Sequence, residues 1–357
     1  MIAKKPRPIQ SAANSAKPAF VASGRLESLL VGGLTPWPQA NASHHLVLAY
    51  QPGWQSMADL GTIARLVRAL DSRIGTFIVP ATHRNRASRK AAATRPTLVA
   101  SIGPLTAFRP LRGRIYQGLP IPKFEQLKRL HAAGIPVPLT TVLGLETVLD
   151  PAVWGEFVVV KPTDMPSSSH AAGINLFRTR RARFVAPMDY PDDHPGRLGP
   201  MVVQQYVDTG ERLTTYRVLS FFGEPIYAML MRSTIQRVDL GSTDAVIEAA
   251  PIAYQADANR ERLLIRDADV LAMARAAHKV FPEIPMIGCD IIRDARTGDL
   301  YVLELNPGGN TWHFSSDSAG EMRARMGPEQ VEKMRQQFQA LRTVAIALVG
   351  RTIAEAE

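Results

Sequence analysis

Residues 288–310, GCDIIRDARTGDLYVLELNPGGN, constrain this chain more than any other stretch. Two apolar runs, 288–293 and 299–305, flank a glycine-containing turn at 295–298. That is the pattern of a β-hairpin. Side chains alternate along a strand, so Val302, Glu304 and Asn306 share one face. Tyr301, Leu303 and Leu305 share the other, the natural core face. A turn centred near Thr297 sets Asp290 opposite Glu304, about 5 Å apart at Cβ. Carboxylates that close repel unless positive charge lies between them. A hard cation answers that need, and magnesium takes oxygen ligands, often shared with substrate phosphates. Asn306 adds a neutral oxygen on the same face. By itself the pair also suits a calcium site or an acid–base pair.

A chain of 357 residues has room for two or three packed domains. Its 46% hydrophobic and 21% charged residues suit a globular fold. No apolar run reaches 18 uncharged residues, so no transmembrane helix and no membrane partner are expected. The N-terminus lacks the apolar core of a secretory signal. Cys289 is the only cysteine, which excludes disulfides within the chain and Cys-type zinc sites. The expected location is the cytoplasm.

Charge is uneven. Residues 1–150 hold 19 Lys and Arg against 6 Asp and Glu, a balance of +13, whereas residues 151–357 hold 23 against 26, or −3. Such asymmetry suits nucleic acid, an anionic small substrate or a basic tail. There is no zinc finger, no RNA-binding aromatic signature and no evident helix-turn-helix. Nucleic acid is therefore not the expected partner.

In order, residues 1–23 are rich in Ala, Ser, Pro and Lys and read as a flexible arm. A strand is expected at 45–50 and a helix from Ser56 to about Leu70, with Leu60, Ile63, Leu66, Val67 and Leu70 as its apolar positions. Strands follow at 76–79, 98–101 and 114–116, around a basic loop or short helix at 83–95. This start predicts a small open α/β sheet. It carries neither a dinucleotide glycine fingerprint nor a Walker-type loop. Residues 123–133 predict an amphipathic helix stopped by Gly134. Residues 140–149 fit a strand or a short helix. Strands are expected at 157–161, 201–207, 214–221 and 226–232, with FGEP as the last turn. Residues 233–262 read as irregular. A helix is expected at 267–281, capped by Asp267 or Asp269, and a long one at 328–356, broken near Gly350.

Three features point to anions. Lys161 closes the apolar strand FVVVK and needs an anion or water partner. The loop behind it, PTDMPSSSHAAG, offers hydroxyl and N–H donors that suit phosphates. A turn centred between Glu224 and Pro225 would also set Arg217 opposite Arg232, and like charges so placed need an anion between them.

KFEQLKRLHAAGIPVP, FVVVKP with its small-residue loop, QQYV and finally Asp290 with ELN occur in an order that resembles the ATP-grasp superfamily. The likeness is greatest to its carboxylate–amine ligases, such as D-alanine–D-alanine ligase, glutathione synthetase and the ribosomal-protein glutamate ligases. It covers about residues 115–325 and, more loosely, the α/β segment from about 44. It implies an α/β fold with α+β character in the ATP-grasp part, a small N-terminal sheet followed by two subdomains that hold nucleotide between them. The implied units are a basic arm at 1–43, an α/β domain at 44–118, subdomains at 119–206 and 207–327, and a C-terminal helix at 328–357.

The resemblance also assigns residues. Lys123 and Lys161 would touch nucleotide phosphates, with Ser168 and Ser169 in the loop 167–173 that closes over them. That loop lacks most of the family's glycines. Gln204, Gln205, Tyr206 and Val207 would form the hinge that reads adenine, through backbone groups of Gln205 and Val207. Gln204 stands where an acidic residue is usual. Glu211 would accept the ribose hydroxyls, and Arg217 and Arg232 would meet phosphate or an acyl phosphate. Asp290, Glu304 and Asn306 would hold magnesium, with Glu304 bridging two ions and manganese an allowed substitute. Gly308, Gly309 and Asn310 would meet the acceptor, and Trp312 and His313 would line its pocket. The implied chemistry is ATP-dependent activation of a small-molecule or peptide carboxylate as an acyl phosphate. An amine or similar nucleophile then attacks, and ADP and phosphate are released. A kinase of the same superfamily and a nucleotide-binding module without turnover are the alternatives. A homodimer is allowed.

Overall fold

The computed structural model describes residues 41–163, 173–250, 252, 260–309 and 311–357. The fold is mixed α/β, with one parallel and two antiparallel sheets. The expected arm lies almost wholly outside the described residues.

The first sheet is parallel, in the order β2-β1-β3-β4. It contains β1 (His44–Tyr50), β2 (Ile74–Pro80), β3 (Thr97–Ser101) and β4 (Arg114–Gln117). Helix α1 (Met57–Leu70) connects β1 to β2, and the short basic helix α2 (Arg86–Ala92) connects β2 to β3. The Ser56 hydroxyl caps α1 by accepting from the Asp59 N–H at 3.2 Å. Leu60, Ile63 and Val67 form its buried stripe.

Helix α3 (Lys123–Ala132) leads into the second sheet. That sheet contains β5 (Thr140–Val142), β6 (Phe157–Pro162), β7 (Asn175–Arg178) and β8 (Met201–Gln205), with the one-turn helix α4 (Pro151–Trp154) before β6. Its order is β5-β8-β6-β7.

The third sheet, β11-β10-β9-β12-β13, is antiparallel throughout. Its strands are β9 (Arg212–Phe221), β10 (Glu224–Gln236), β11 (Glu261–Leu264), β12 (Met286–Arg293) and β13 (Leu300–Asn306). Helix α5 (Asp244–Ala249) follows β10, and α6 (Ala268–Lys279) packs on the sheet after the Asp267 carboxylate caps it. Helices α7 (Ala319–Met326), α8 (Pro328–Gln336) and α9 (Ala340–Glu355) complete the described chain. Helices α1 and α9 share a core with the first and third sheets, through Leu48, Ile63, Leu219, Met286, Trp312 and Val344. No described helix is long and apolar enough to cross a membrane.

Four expectations are corrected. Asp290 does pair with Glu304, but Ile291 pairs with Val302, so Leu303 is an extra residue. A bulge of this kind resets the alternation. Val302 therefore enters the same apolar core as Leu305 and does not share the face of Glu304. The β9–β10 turn lies at Phe222 and Gly223, whose φ angles of 48° and 89° suit a tight two-residue hairpin. Together with the register shift at Ile226, between Pro225 and Tyr227, that sets Arg217 opposite Met229 and Arg232 opposite Thr214. Residues 233–262 are not irregular throughout. β10 continues to Gln236, and α5 turns back onto the second sheet. There the Arg178 guanidinium donates to Asp244 at 2.9 Å, and buried Ile247 packs with Phe157 and Leu176. Finally, the C-terminal helix breaks before Ala340 and not at Gly350. The Gln337 amide donates to the Ala228 and Ile265 carbonyls at 3.0 and 2.6 Å, and Gln339 turns left-handed at φ 51°.

Buried His278 links α6 to β9. Its Nε2 bonds the Ile284 carbonyl at 3.0 Å and its Nδ1 meets the Ser220 hydroxyl at 2.6 Å. Burial lowers its pKa from 6.5 to about 4. The unfolded chain therefore binds a proton near pH 6.5 that the folded chain refuses until about pH 4. Stability is full above pH 6.5 and should fall by about 3 kcal/mol as pH drops to 4. Denaturant unfolding of wild type and His278→Gln across this window checks it. The variant should show the shallower pH dependence.

Candidate functional site

The polar floor lies on one face of the third sheet. Arg217 pairs in register with Asp290, and Asp290 with Glu304, so three adjacent strands place three charges in one row. Asn306, opposite Gly288, occupies the next row on that face. The Arg217 guanidinium grips Asp290 with two nitrogens, Nε to Oδ1 and Nη2 to Oδ2, the latter at 2.6 Å. Asn306 donates Nδ2 to Asp290 Oδ2 at 3.3 Å, which leaves its carbonyl oxygen as an acceptor. Burial raises the Asp290 pKa, and Glu304 adds to this against the pull of Arg217. Burial also acts to raise Glu304, but Lys123, with Lys161 and Arg217 behind it, holds it below the usual range. Arg217 on Asp290 and Lys123 on Glu304 flank the two carboxylates and offset part of their repulsion.

Lys123 reaches the floor because the first turn of α3 docks on the edge of β13. Gln126 Oε1 accepts the Leu305 N–H at 2.9 Å, and Gln126 Nε2 donates to the Ile121 carbonyl at 2.7 Å. This sets Lys123 Nζ 2.6 Å from Glu304 Oε2. Lys161 arrives from the second sheet. Its Nζ donates to Gln204 Oε1 at 2.8 Å, and the Gln204 amide continues to the Thr140 hydroxyl at 2.9 Å. Burial draws the Lys161 pKa down to about 8, with Glu304 opposing and Lys123 assisting. At neutral pH it is still mostly charged, so two sheets and the start of α3 bring three cations toward two carboxylates.

The hinge residues differ in what they have to offer. Gln204 is 2% exposed and its amide is engaged with Lys161 and Thr140, so it acts on the site through Lys161. The Gln205 N–H donates to Leu139 at 2.8 Å, which leaves its carbonyl. The Tyr206 ring packs edge-on against Phe157, and burial pushes its phenol up to about 12. Val207 is buried at the end of this segment. Glu211 is exposed at the start of β9, with no ion pair to another described residue.

Arg232 leaves the site. It lies three residues from Met229, the partner of Arg217, with no bulge between them, so it points to the other face. Its nearest carboxylate among the described residues is Glu261 at 3.8 Å, and its side chain is 42% exposed. The like-charge opposition expected of Arg217 and Arg232 does not exist. Ser168, Ser169 and Asn310 lie outside the described residues, as does most of the 167–173 loop.

Above the floor, residues 307–309 and 311–318 dock on the carboxyl ends of the parallel strands, where ligands of open α/β sheets gather. The Leu119 N–H donates to Pro307 at 3.0 Å. Gly309, at φ 93°, lies against the Ile102 carbonyl where a Cβ has no room. Trp312 is wholly buried, so it does not line a pocket. Its Nε1 donates to Asp59 Oδ2 at 2.9 Å. The Ser315 hydroxyl donates to the same oxygen at 2.6 Å, and Arg335 to Oδ1 at 2.7 Å. Asp59, 2% exposed, thus ties α1 to the loop and to α8. His313 is half-buried beside Tyr227, with ring centroids 6.1 Å apart, and burial, then Arg217, lowers its pKa to about 4. Asp59 was not among the residues expected to matter. Its signal was a carboxylate four residues before Ile63, on the buried stripe of α1.

Among the described residues no cluster of three or more His, Cys, Asp or Glu side chains gathers. The donor set on the floor is two carboxylates and one amide oxygen. It is all oxygen, on one face and in adjacent rows, which fits a hard cation shared with phosphates.

No protein-family model matches the chain, and no curated protein does. Among solved structures it is similar to D-alanine–D-alanine ligase from Bacillus anthracis, at 14% identity over 87% of this chain and 97% of that one, with a TM-score of 0.43. It is also similar to D-cycloserine synthetase DcsG, at 19% identity over 80% and 99%, with a TM-score of 0.41. A third is a RiPP-associated ATP-grasp ligase of Chryseobacterium gregarium in complex with ADP and a leader and core peptide, at 10% identity over 86% and 97%, with a TM-score of 0.47. At these identities no residue role transfers from them.

Proposed function

We propose that this chain is an ATP- and magnesium-dependent ligase of the ATP-grasp kind. It would activate a small-molecule or peptide carboxylate as an acyl phosphate and join it to an amine or similar nucleophile. The observation that carries this reading is the row Arg217–Asp290–Glu304, with Asn306 beside it and Lys123 and Lys161 converging on it. Carboxylates ringed by cations suit a metal–polyphosphate complex, in which both signs must be met within a few ångströms.

Asp290, Glu304 and Asn306 would hold magnesium, which neutralises phosphate charge when bound. Lys123 and Lys161 would meet the phosphates. Arg217, fixed by Asp290, would face the oxygens that gain charge as the γ-phosphoryl group moves to the carboxylate and ADP leaves. The Gln205 carbonyl and Val207 N–H, two residues apart, suit the donor and acceptor on the adenine edge. Attack of the nucleophile on the acyl carbon then expels phosphate. Positioning and charge neutralisation do this work, with no nucleophilic side chain.

Incubation with ATP, magnesium and a metabolite or peptide pool tests the reaction class. The ligase reading expects ADP and free phosphate in equal amounts, with a joined product lighter than its parts by one water. A phosphorylated product without free phosphate would show a kinase instead.

A further inference from the structure

We propose that Lys123 makes metal binding depend on the nucleotide, by holding Glu304 as its counter-ion until phosphates draw the lysine away. This rests on the nucleotide-site reading above.

Lys123 Nζ lies 2.6 Å from Glu304 Oε2, inside the donor set proposed for the metal. Its backbone is pinned, because Gln126 one turn later bonds Leu305, the neighbour of Glu304. Its side chain is 43% exposed, so the ammonium can change partners while the helix stays in place. Arg217 differs. It is held by two bonds to Asp290 and is half as exposed. An ammonium on a flexible stem exchanges partners readily, whereas a bidentate guanidinium does not.

The charges set the order of events. Lys123, Lys161 and Arg217 carry three positive charges against two on Asp290 and Glu304, so the floor is net positive without nucleotide. A divalent cation arriving alone would meet that excess and would have to displace Lys123. A polyphosphate reverses the sign and gives the ammonium a new partner. Glu304 then becomes available just as the metal gains phosphate oxygens. By linkage, metal and nucleotide each strengthen the other's binding.

Manganese is the probe, with bound and free ion separated by electron paramagnetic resonance. Nucleotide-free wild type should bind it weakly, and saturating ADP should tighten it about a hundredfold. In Lys123→Met, manganese should bind without nucleotide at least tenfold more tightly than in wild type, ADP should bind more weakly, and ADP should change metal affinity only a few-fold. Lys123→Gln should behave alike, and both should melt near wild type. If nucleotide-free wild type binds manganese as tightly as Lys123→Met, Lys123 is no guard and this proposal falls while the nucleotide site stands. If neither protein binds ADP with or without manganese, the nucleotide-site reading falls and takes this proposal with it.

Discussion

Glu304→Ala should cut magnesium-dependent ADP formation about a thousandfold, on the order of 4 kcal/mol of transition-state stabilisation. Glu304 pairs with Asp290 across the hairpin and faces Lys123 at 2.6 Å, so every charged group of the floor lies within its reach. The fold should survive. The ion pair it would lose joins a half-exposed lysine, and such pairs contribute up to about 1 kcal/mol. Asn306→Ala should lose turnover as well, since its amide sits on Asp290 in the adjacent row. Steady-state ADP release with magnesium, read beside thermal unfolding, separates the two effects. Near-normal turnover in either variant would remove the metal assignment.

Asp59→Ala should be the most damaging change to stability outside the apolar cores, at about 3–5 kcal/mol. Its buried carboxylate accepts from Trp312, Ser315 and Arg335. Removal leaves the buried indole N–H with only the Ser315 hydroxyl, at 3.2 Å, and takes the counter-ion from Arg335. Asp59→Asn should cost less, because an amide oxygen can still accept from Trp312. Chemical denaturation of the three proteins gives the comparison. A loss below about 1 kcal/mol for alanine would mean that the hub does not hold the loop.

The hairpin was legible because its register follows from its turn. Position 290 does face position 304, and Asn306 does share their face. The extra residue at Leu303 was not legible, since a bulge alters the count without marking the sequence. It changed the side of Val302 and left the carboxylates in place. FGEP misled because Pro225 drew the turn centre forward. The chain turns at Phe222 and Gly223, where a bulky residue takes a left-handed φ, and the extra residue Ile226 between Pro225 and Tyr227 then puts Arg232 on the other face. Residues 233–262 hid α5 because its anchors are distant ones, a single buried Ile247 and the Arg178 clamp on the second sheet. Lys123 and Lys161 were placed by a resemblance. What brings them together is the Gln126–Leu305 bond and the Gln204 relay, neither of which has a local signal. Asp59 was missed for the same reason, as its partners lie more than 250 positions away.

The central claim is that Asp290, Glu304 and Asn306 form the metal floor of a nucleotide site, and calorimetric titration with a non-hydrolysable ATP analogue addresses it directly. Wild type should bind the analogue with magnesium at least about a hundredfold more tightly than Glu304→Gln, a difference of about 2.7 kcal/mol, and removing magnesium should bring the two proteins together. Equal affinity of wild type and Glu304→Gln in the presence of magnesium, or no binding by wild type, would contradict it.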